Sequence, residues 1–279
     1  MNELNIERLR KTVENIHSLP TIPETVKRIS GIIENPNMSL NDIGKFIAND
    51  PALTTKILKM VNSAVYGFPG RISLVSHATV LLGLNVIKGL LIGVSVAEYM
   101  ETAMTGLWSH SLACAFMARI LAQKKNIEEP EEVYAAGLLH DIGKVILIQS
   151  YRSEYEAVMN RAKEQGTTVS EEETRYFPVH HGTVGGWLAE QWHFPMKLVE
   201  IIKNHHEPLR SRIAPTETAL VHLSDILVRA RGIGFPGDDS IPVVEPRAFE
   251  LLNIAESDIR DAFEEMEAAV ARSEDGLSP

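Results

Sequence analysis

The sequence contains a single cysteine among its 279 residues, Cys114. One cysteine cannot form a disulfide within the chain, which is typical of proteins in a reducing compartment, so we expect a cytoplasmic location. Because Cys114 lies in the apolar run SLACAFMARIL, we interpret it as a small buried apolar residue. The absence of cysteine ligands argues against a structural zinc finger.

Positive charge is also scarce. The chain has 27 Lys and Arg against 37 Asp and Glu, which gives a formal net charge of −10 and a sequence pI near 5.5. Contacts to phosphate backbones need clustered Lys and Arg, and no such cluster is present. Residues 75–91 have some resemblance to a helix-turn-helix, but the acidic balance predicts that nucleic acid is not a partner.

The sequence offers no clear membrane segment. The first 17 residues are charged and amphipathic, so we expect no secretion signal. Residues 80–97 are nearly long enough to cross a bilayer but contain Asn85, Lys88 and three glycines. A charged residue near the bilayer centre costs about 2.5 to 3.5 kcal/mol on insertion scales. We therefore predict a helix buried in a protein core and no membrane partner.

No segment shows the period-two alternation of a strand, whereas signals for helix starts are frequent. Thr21 with Glu24, and Ser39 with Asp42, resemble capping boxes, and Asp50 precedes a first-turn proline. The sequence predicts an all-α fold, a multi-helix bundle with an N-terminal helical lobe. We expect a first lobe over residues 1–105, a second over 106–230, and a loop with a terminal helix over 231–279. Beyond residue 106 the predicted helices are 110–123, 131–148, 154–164, 173–190, 196–204, 215–230 and 257–272, the loop is 231–246, and the end from residue 273 is frayed.

The stretch AAGLLHDIGKVILI places three ionisable groups in an apolar run: His140, Asp141 and Lys144. Neighbouring helical residues point about 100° apart, so His140 and Asp141 can reach one ion only near a helix end or a distortion. Lys144 shares the face of His140, one turn later. It either holds an anionic oxygen as a point charge or is a solvated lysine after a glycine turn.

Several histidines and aspartates fall on different predicted helices, which is how helical bundles build metal sites. Imidazole and carboxylate ligands suit Fe, Mn, Zn, Ni or Co, and we expect one or two such ions, with iron favoured. We exclude His77, a lone histidine that we interpret as a core or cap residue, together with His17, His193 and His222. The predicted metal ligands are His110, His140, Asp141, His181, His205, His206 and Asp225.

The string GLLHDIGK resembles the HD superfamily of metal-dependent phosphohydrolases. The resemblance implies an H…HD…D ligand set at His110, His140, Asp141 and Asp225. The segment LPTIPETVKRISGIIENPNMSLNDIGKFIANDPALTTKILKMVNSAVYGFPGRISLVSHATVLLGLNVIKGLL is similar to the start of the HDOD domain, the HD-related output domain of bacterial signalling proteins. The strings HHGTVGGWLAEQWHFP and IIKNHHEP are also similar to that family, so the resemblance to the HDOD domain covers roughly residues 13 to 230.

This resemblance implies an all-α HD-type fold, a signalling protein as partner, and in most members an output role without demonstrated catalysis. Many members lack parts of the metal site, whereas this chain retains them. The set is also similar to that of HD-GYP cyclic-dinucleotide phosphodiesterases, with His181, His205 and His206 as additional ligands and Lys144 as the motif lysine. After HHE, however, the chain continues PLRSRIAP and lacks the glycine-tyrosine-proline motif.

Two hypotheses remain open at this point. The first is a bacterial signal-transduction module that acts through a partner protein, with any metal structural or sensory. The second is a metal-dependent phosphohydrolase acting on a nucleotide or another small phosphoester. In the second, the ions would polarise the phosphoryl group and activate water, and Lys144 would be a catalytic residue that steadies the phosphate.

Overall fold

The computed structural model describes residues 6–15, 35, 37, 39–62 and 72–277. These residues form helices and connecting loops and contain no strand, which confirms the predicted all-α fold. A short 3-10 turn covers Pro208–Arg210. The α-helices are α1 (Ile6–Glu14), α2 (Leu40–Ala48), α3 (Pro51–Val61), α4 (Val75–Ala103), α5 (Leu107–Lys124), α6 (Pro130–Leu139), α7 (Ile142–Ser150), α8 (Arg152–Gln165), α9 (Val169–Tyr176), α10 (His181–Gln191), α11 (Met196–Asn204), α12 (Pro215–Arg231), α13 (Pro246–Leu252) and α14 (Glu256–Leu277).

Helix starts follow the capping signals in the sequence. The Ser39 hydroxyl accepts from the Asp42 backbone N–H at 3.2 Å, and the Asp42 carboxylate accepts in return from the Ser39 N–H. Asp50 caps α3 by accepting from the Leu53 N–H at 3.0 Å. Each side chain satisfies a backbone donor that the first helical turn leaves unpaired. The predicted capping box at Thr21 and Glu24 lies outside the described residues.

Helix α5 lies at the centre of the molecule. From His110 to Ala122 every residue is buried, and apolar side chains surround the helix on all sides. It packs against α6, α12 and α14. A helix without a polar face is stable only when neighbours cover it completely, so α5 organises the core and places His110 inside it.

Helix α4 contains the segment that resembles a membrane span. Its length and hydropathy would suffice to cross a bilayer, but 67% of its most apolar window is buried inside the protein. The helix is interrupted at Gly83, whose φ of +78° is a conformation that favours glycine. It packs against α2, α3, α6 and α7 and thus serves as a core helix.

Two predicted helices are each divided in the structure. The predicted helix 131–148 breaks at His140 and Asp141, which form the junction of α6 and α7. The predicted helix 173–190 is interrupted after α9, because Phe177 precedes Pro178 and adopts extended backbone with φ −119° and ψ 154°. The last helix extends to Leu277, beyond the predicted Arg272.

The lobes expected from the sequence contact each other through both ends of the chain. Helix α1 packs against α10, where the Gln191 side chain donates to the Glu14 carbonyl. Helix α14 packs against both α3 and α5. The division at residues 105 and 230 remains a prediction.

Candidate metal centre

The junction of α6 and α7 turns His140 and Asp141 toward the same interior space. Both side chains are fully buried. His140 Nδ1 lies 2.7 Å from the Gly137 carbonyl, so its N–H donates there and the lone pair of Nε2 faces the interior. This Nε2 is buried without a hydrogen-bond partner. An uncompensated buried acceptor is costly, and a cation would satisfy it.

The first group of candidate ligands lies on α5, α6 and α12. His110 Nε2 is 3.0 Å from Asp225 Oδ1, and the rings of His110 and His140 are 5.4 Å apart between centroids. The sequence placed these residues on different helices, and the fold brings them together. The Cys114 thiol joins them, because ligand atoms of His110, Cys114, His140 and Asp225 all lie within 4.8 Å of one another.

The second group lies at the start of α10 and the end of α11. His181 Nε2 is 2.9 Å from His206 Nε2 and 3.3 Å from His205 Nε2. Two imidazole lone pairs at this distance repel each other unless a proton or a metal ion lies between them. Ligand atoms of Asp141, His181, His205 and His206 lie within 4.8 Å of one another.

The Asp141 carboxylate lies between the two groups. Its Oδ1 is 3.0 Å from His181 Nε2 of the second group. Its Oδ2 is 3.4 Å from His140 Nε2 and 3.8 Å from His110 Nε2 of the first. The two groups therefore adjoin, and one carboxylate faces both.

An outer layer of polar groups orients the ligands. The buried Glu173 carboxylate accepts from the ring Nδ1 and from the backbone N–H of His181, each at 2.7 Å. Tyr155 donates its hydroxyl hydrogen to the other Glu173 oxygen at 2.8 Å. Such a carboxylate fixes the tautomer of a ligating histidine and increases its basicity. His205 is oriented by the Ile202 carbonyl, 2.7 Å from its Nδ1.

Two buried cations neutralise the aspartates. Lys144 Nζ donates to Asp141 Oδ2 at 2.7 Å and to the Pro236 carbonyl at 2.9 Å. Arg229 donates to Asp225 Oδ1 at 2.9 Å and to Asp238 Oδ1 at 3.0 Å. Lys144 is fully buried, which excludes the interpretation of a solvated lysine. Its phosphate-binding role remains a prediction.

The loop between α12 and α13, residues 232–245, covers one side of the centre. The Phe235 N–H donates to the Gly106 carbonyl at 2.9 Å. A Cβ at Gly234 would lie 2.3 Å from the His110 backbone nitrogen, so only glycine permits this approach. Asp238 Oδ2 accepts from the Val169 N–H at the start of α9. We call residues 234–240 of this loop the strap.

The pKa directions differ between the aspartates and the histidines of the cluster. Burial raises the pKa of Asp141, but His140 and Lys144 outweigh it and hold that pKa well below its usual range. Arg229 and His110 likewise outweigh burial at Asp225 and lower its pKa. Burial lowers the pKa of His205 and His206 well below the ordinary value, which keeps both rings neutral. At His181 burial lowers the pKa, but Glu173 outweighs it and the pKa is raised.

All seven predicted ligands thus meet in one cluster. Of these side chains only His206 is partly exposed, so solvent approaches from the side of His180, His206 and Glu207. Among the excluded histidines, His222 uses its Nδ1 toward the His205 carbonyl and its Nε2 toward the Glu245 N–H. His77 and His193 are exposed, so His77 is not the core residue that the sequence allowed, and His17 lies outside the described residues.

The sequence did not predict the outer layer. Glu173 carries no local signal, because its partners Tyr155 and His181 lie on other helices. Arg229 did have a signal, because it lies four residues after Asp225 on the same helix, a spacing that favours an ion pair. Cys114 had one available signal: it lies four residues after His110, which places both on one helical face.

Comparison with known proteins identifies relatives of this fold. The HDOD domain family matches residues 19–208. An uncharacterised protein of Treponema pallidum (strain Nichols) is 28% identical over 197 residues, which are 69% of this chain and 38% of that protein. The chain therefore matches well under half of that relative's length.

Solved structures agree with this assignment. An HDOD domain protein with unknown function from Geobacter sulfurreducens is 26% identical, with a TM-score of 0.63 and coverage of 98% of this chain and 96% of that one. A protein from Marinobacter aquaeolei VT8, provisionally named a signal transduction protein, has a TM-score of 0.70 at 19% identity and covers 99% of this chain and 67% of its own. A provisionally named phosphohydrolase from Shewanella amazonensis SB2B has a TM-score of 0.67 at 18% identity, with coverage of 96% and 98%. The last two show similarity of fold alone.

Proposed function

Because the chain belongs to the HDOD domain family, we propose that it is a regulatory module of bacterial signal transduction whose core holds an HD-type centre of one or two transition-metal ions. The module acts in the cytoplasm through a signalling protein partner. Iron is the favoured metal, since imidazole and carboxylate ligands suit it. The same ligands could also bind Mn, Zn, Ni or Co.

The burial of the centre is the observation that supports a regulatory role best. Six of the seven ligands are buried, and the strap packs against the backbone of His110. Both cations near the aspartates, Lys144 and Arg229, already donate to carboxylates and to the strap. A phosphoester substrate would have to displace these contacts, whereas a structural or sensory ion would leave them intact.

A metal-dependent phosphohydrolase is the second candidate. It is favoured by the adjoining ligand groups that face a common Asp141, because phosphatases and nucleases hold paired ions about 3.5 to 4 Å apart. In this function Lys144 would release the Pro236 carbonyl and turn toward the phosphate. Substrate would enter beside His206.

Elemental analysis combined with a hydrolysis assay distinguishes the candidates. We expect one or two transition-metal ions per chain as purified, and loss of the metal when His140 and Asp141 are both replaced by Ala. Protein loaded with Fe(II) or Mn(II) should leave bis(p-nitrophenyl) phosphate, nucleotides and cyclic dinucleotides intact.

Two results would change this conclusion. Turnover that Asp225→Asn abolishes would establish the hydrolase and refute a purely regulatory module. A folded protein that binds no metal under replete conditions would refute both candidates in their present form.

A further inference from the structure

Cys114 faces the first ligand group from one turn further along α5. Its side chain is fully buried, and Sγ lies 3.5 Å from His110 Nε2. Typical metal distances of about 2.0–2.1 Å to nitrogen and 2.3 Å to sulfur separate N and S of a tetrahedral site by about 3.5 Å. The spacing of Cys114 and His110 is therefore that of two ligands of one ion.

A second observation points to the same position. His140 Nε2 is buried without a hydrogen-bond partner, and its ring is fixed by the bond between Nδ1 and the Gly137 carbonyl. A ring nitrogen of His140 lies within 4.8 Å of both Cys114 Sγ and a carboxylate oxygen of Asp225. Four donors from three helices thus surround one space, and one of them has no other partner.

We propose that Cys114 is a metal ligand and completes a His110, His140, Asp225 and Cys114 set for one ion of the centre. This inference rests on the proposed metal centre and is independent of whether the protein is regulatory or hydrolytic. On binding, the thiol loses its proton to solvent and the sulfur bonds to the ion. A thiolate would favour Fe, Zn or Co over Mg or Mn, so it would narrow the choice of metal.

The competing explanation is a weak hydrogen bond. A thiol can donate to an imidazole nitrogen, and 3.5 Å is an ordinary distance for such a contact. In that case Cys114 fills space beside the centre and never bonds to the ion. The two explanations differ in whether sulfur electrons reach the metal, which absorption spectroscopy measures directly.

The test is a titration of the full chain with Co(II) under argon. Metal is first removed with a chelator, and the buffer contains no added thiol reductant. Because the chain has one cysteine, a near-ultraviolet sulfur-to-cobalt charge-transfer band can only come from Cys114. We expect this band in the wild-type protein. Cys114→Ser should remove it while visible d–d bands still show bound cobalt, and Cys114→Ala serves as a second variant.

His206→Gln is the matched control, since it removes a ligand of the second group alone. We expect it to keep the charge-transfer band and to lower the number of bound ions. Cobalt bound with d–d bands but no charge-transfer band in the wild-type protein would show that Cys114 is a bystander, while the proposed centre stands. No bound cobalt at all would overturn the proposed centre together with this ligand.

Discussion

At the scale of single residues, Glu173 contacts a candidate ligand without being one itself. It is fully buried, and its two oxygens accept from His181 and Tyr155. It therefore accepts the Nδ1 proton of His181 in a hydrogen bond and directs the Nε2 atom toward Asp141, His205 and His206. The neighbouring Glu172 is equally buried but pairs with Arg161 and Arg175, away from the histidines.

We expect Glu173→Gln to lower metal affinity by about 10- to 100-fold, the usual effect of losing an outer-layer partner of a ligating histidine. Competition with a chromophoric zinc chelator measures the change. Glu172→Gln is the control, since it removes a carboxylate of the same burial and should leave the affinity unchanged. Equal losses in both variants would attribute the effect to general destabilisation instead.

The sequence predicted the members of the buried cluster more completely than their surroundings, and their role as metal ligands stays a prediction. His140 and Asp141 are adjacent and interrupt an apolar run, so their chemistry is visible locally. Glu173 is separated from His181 by eight residues and a break in the helix, and only the turn at Pro178 brings them together. Lys144 and Pro236 are 92 residues apart in the sequence, and the helical periodicity of a sequence predicts no contact over such a separation.

At the scale of helices, the contact of α7 with α10 determines whether the two ligand groups adjoin. A Cβ at Gly143 would lie 2.0 Å from the His181 carbonyl oxygen, which is backbone and cannot move aside alone. The absence of this Cβ lets Asp141 approach within 3.0 Å of His181. The division of the predicted helix 131–148 allows the same approach, because neighbouring residues in a continuous helix point about 100° apart.

Gly143→Ala should lower the free energy of unfolding by about 3 kcal/mol, at the upper end of the range for overpacked cores. It should also weaken metal binding, since α7 must move away from α10. Urea denaturation and the chelator assay measure the two effects. Gly44→Ala is the control, because the nearest atom is 3.9 Å from the new Cβ. We expect its free energy of unfolding to rise by up to about 1 kcal/mol. Equal stability of the two variants would contradict the packing argument.

At the scale of the whole molecule, a cluster of neutral imidazoles makes the metal-free protein sensitive to acid. Burial lowers the folded-state pKa of His110, His205 and His206 below the ordinary value of 6.5. Below that pH the unfolded chain binds more protons than the folded one, so stability falls as pH falls. His181 has a raised folded pKa, and its contribution is complete below pH 6.5 and is lost only as pH rises through the folded value.

We therefore expect the metal-free protein to lose stability from about pH 6.5 downward, by up to about 1.4 kcal/mol per pH unit for each of the three histidines. Below about pH 4 the lowered pKa values of Asp141, Asp225 and Glu173 add a further loss, because these carboxylates become protonated in the unfolded chain first. Urea denaturation midpoints of the metal-free protein, measured across this pH range, give the slope of stability against pH. His206→Gln should reduce this slope by the contribution of one histidine. A wild-type stability that does not change with pH would contradict the neutral state of these histidines.

The strap affects how fast a bound ion could leave the centre as well as how solvent reaches it. Its contacts to Lys144, Arg229 and the start of α9 join three parts of the chain, so an ion bound by His110 and Asp225 could leave on this side only when several hydrogen bonds open together. Release on this side would then depend on the rate of local unfolding as well as on the strength of the coordinate bonds. If the proposed ion is bound, the protein would respond to a change in metal supply more slowly than its metal affinity alone predicts.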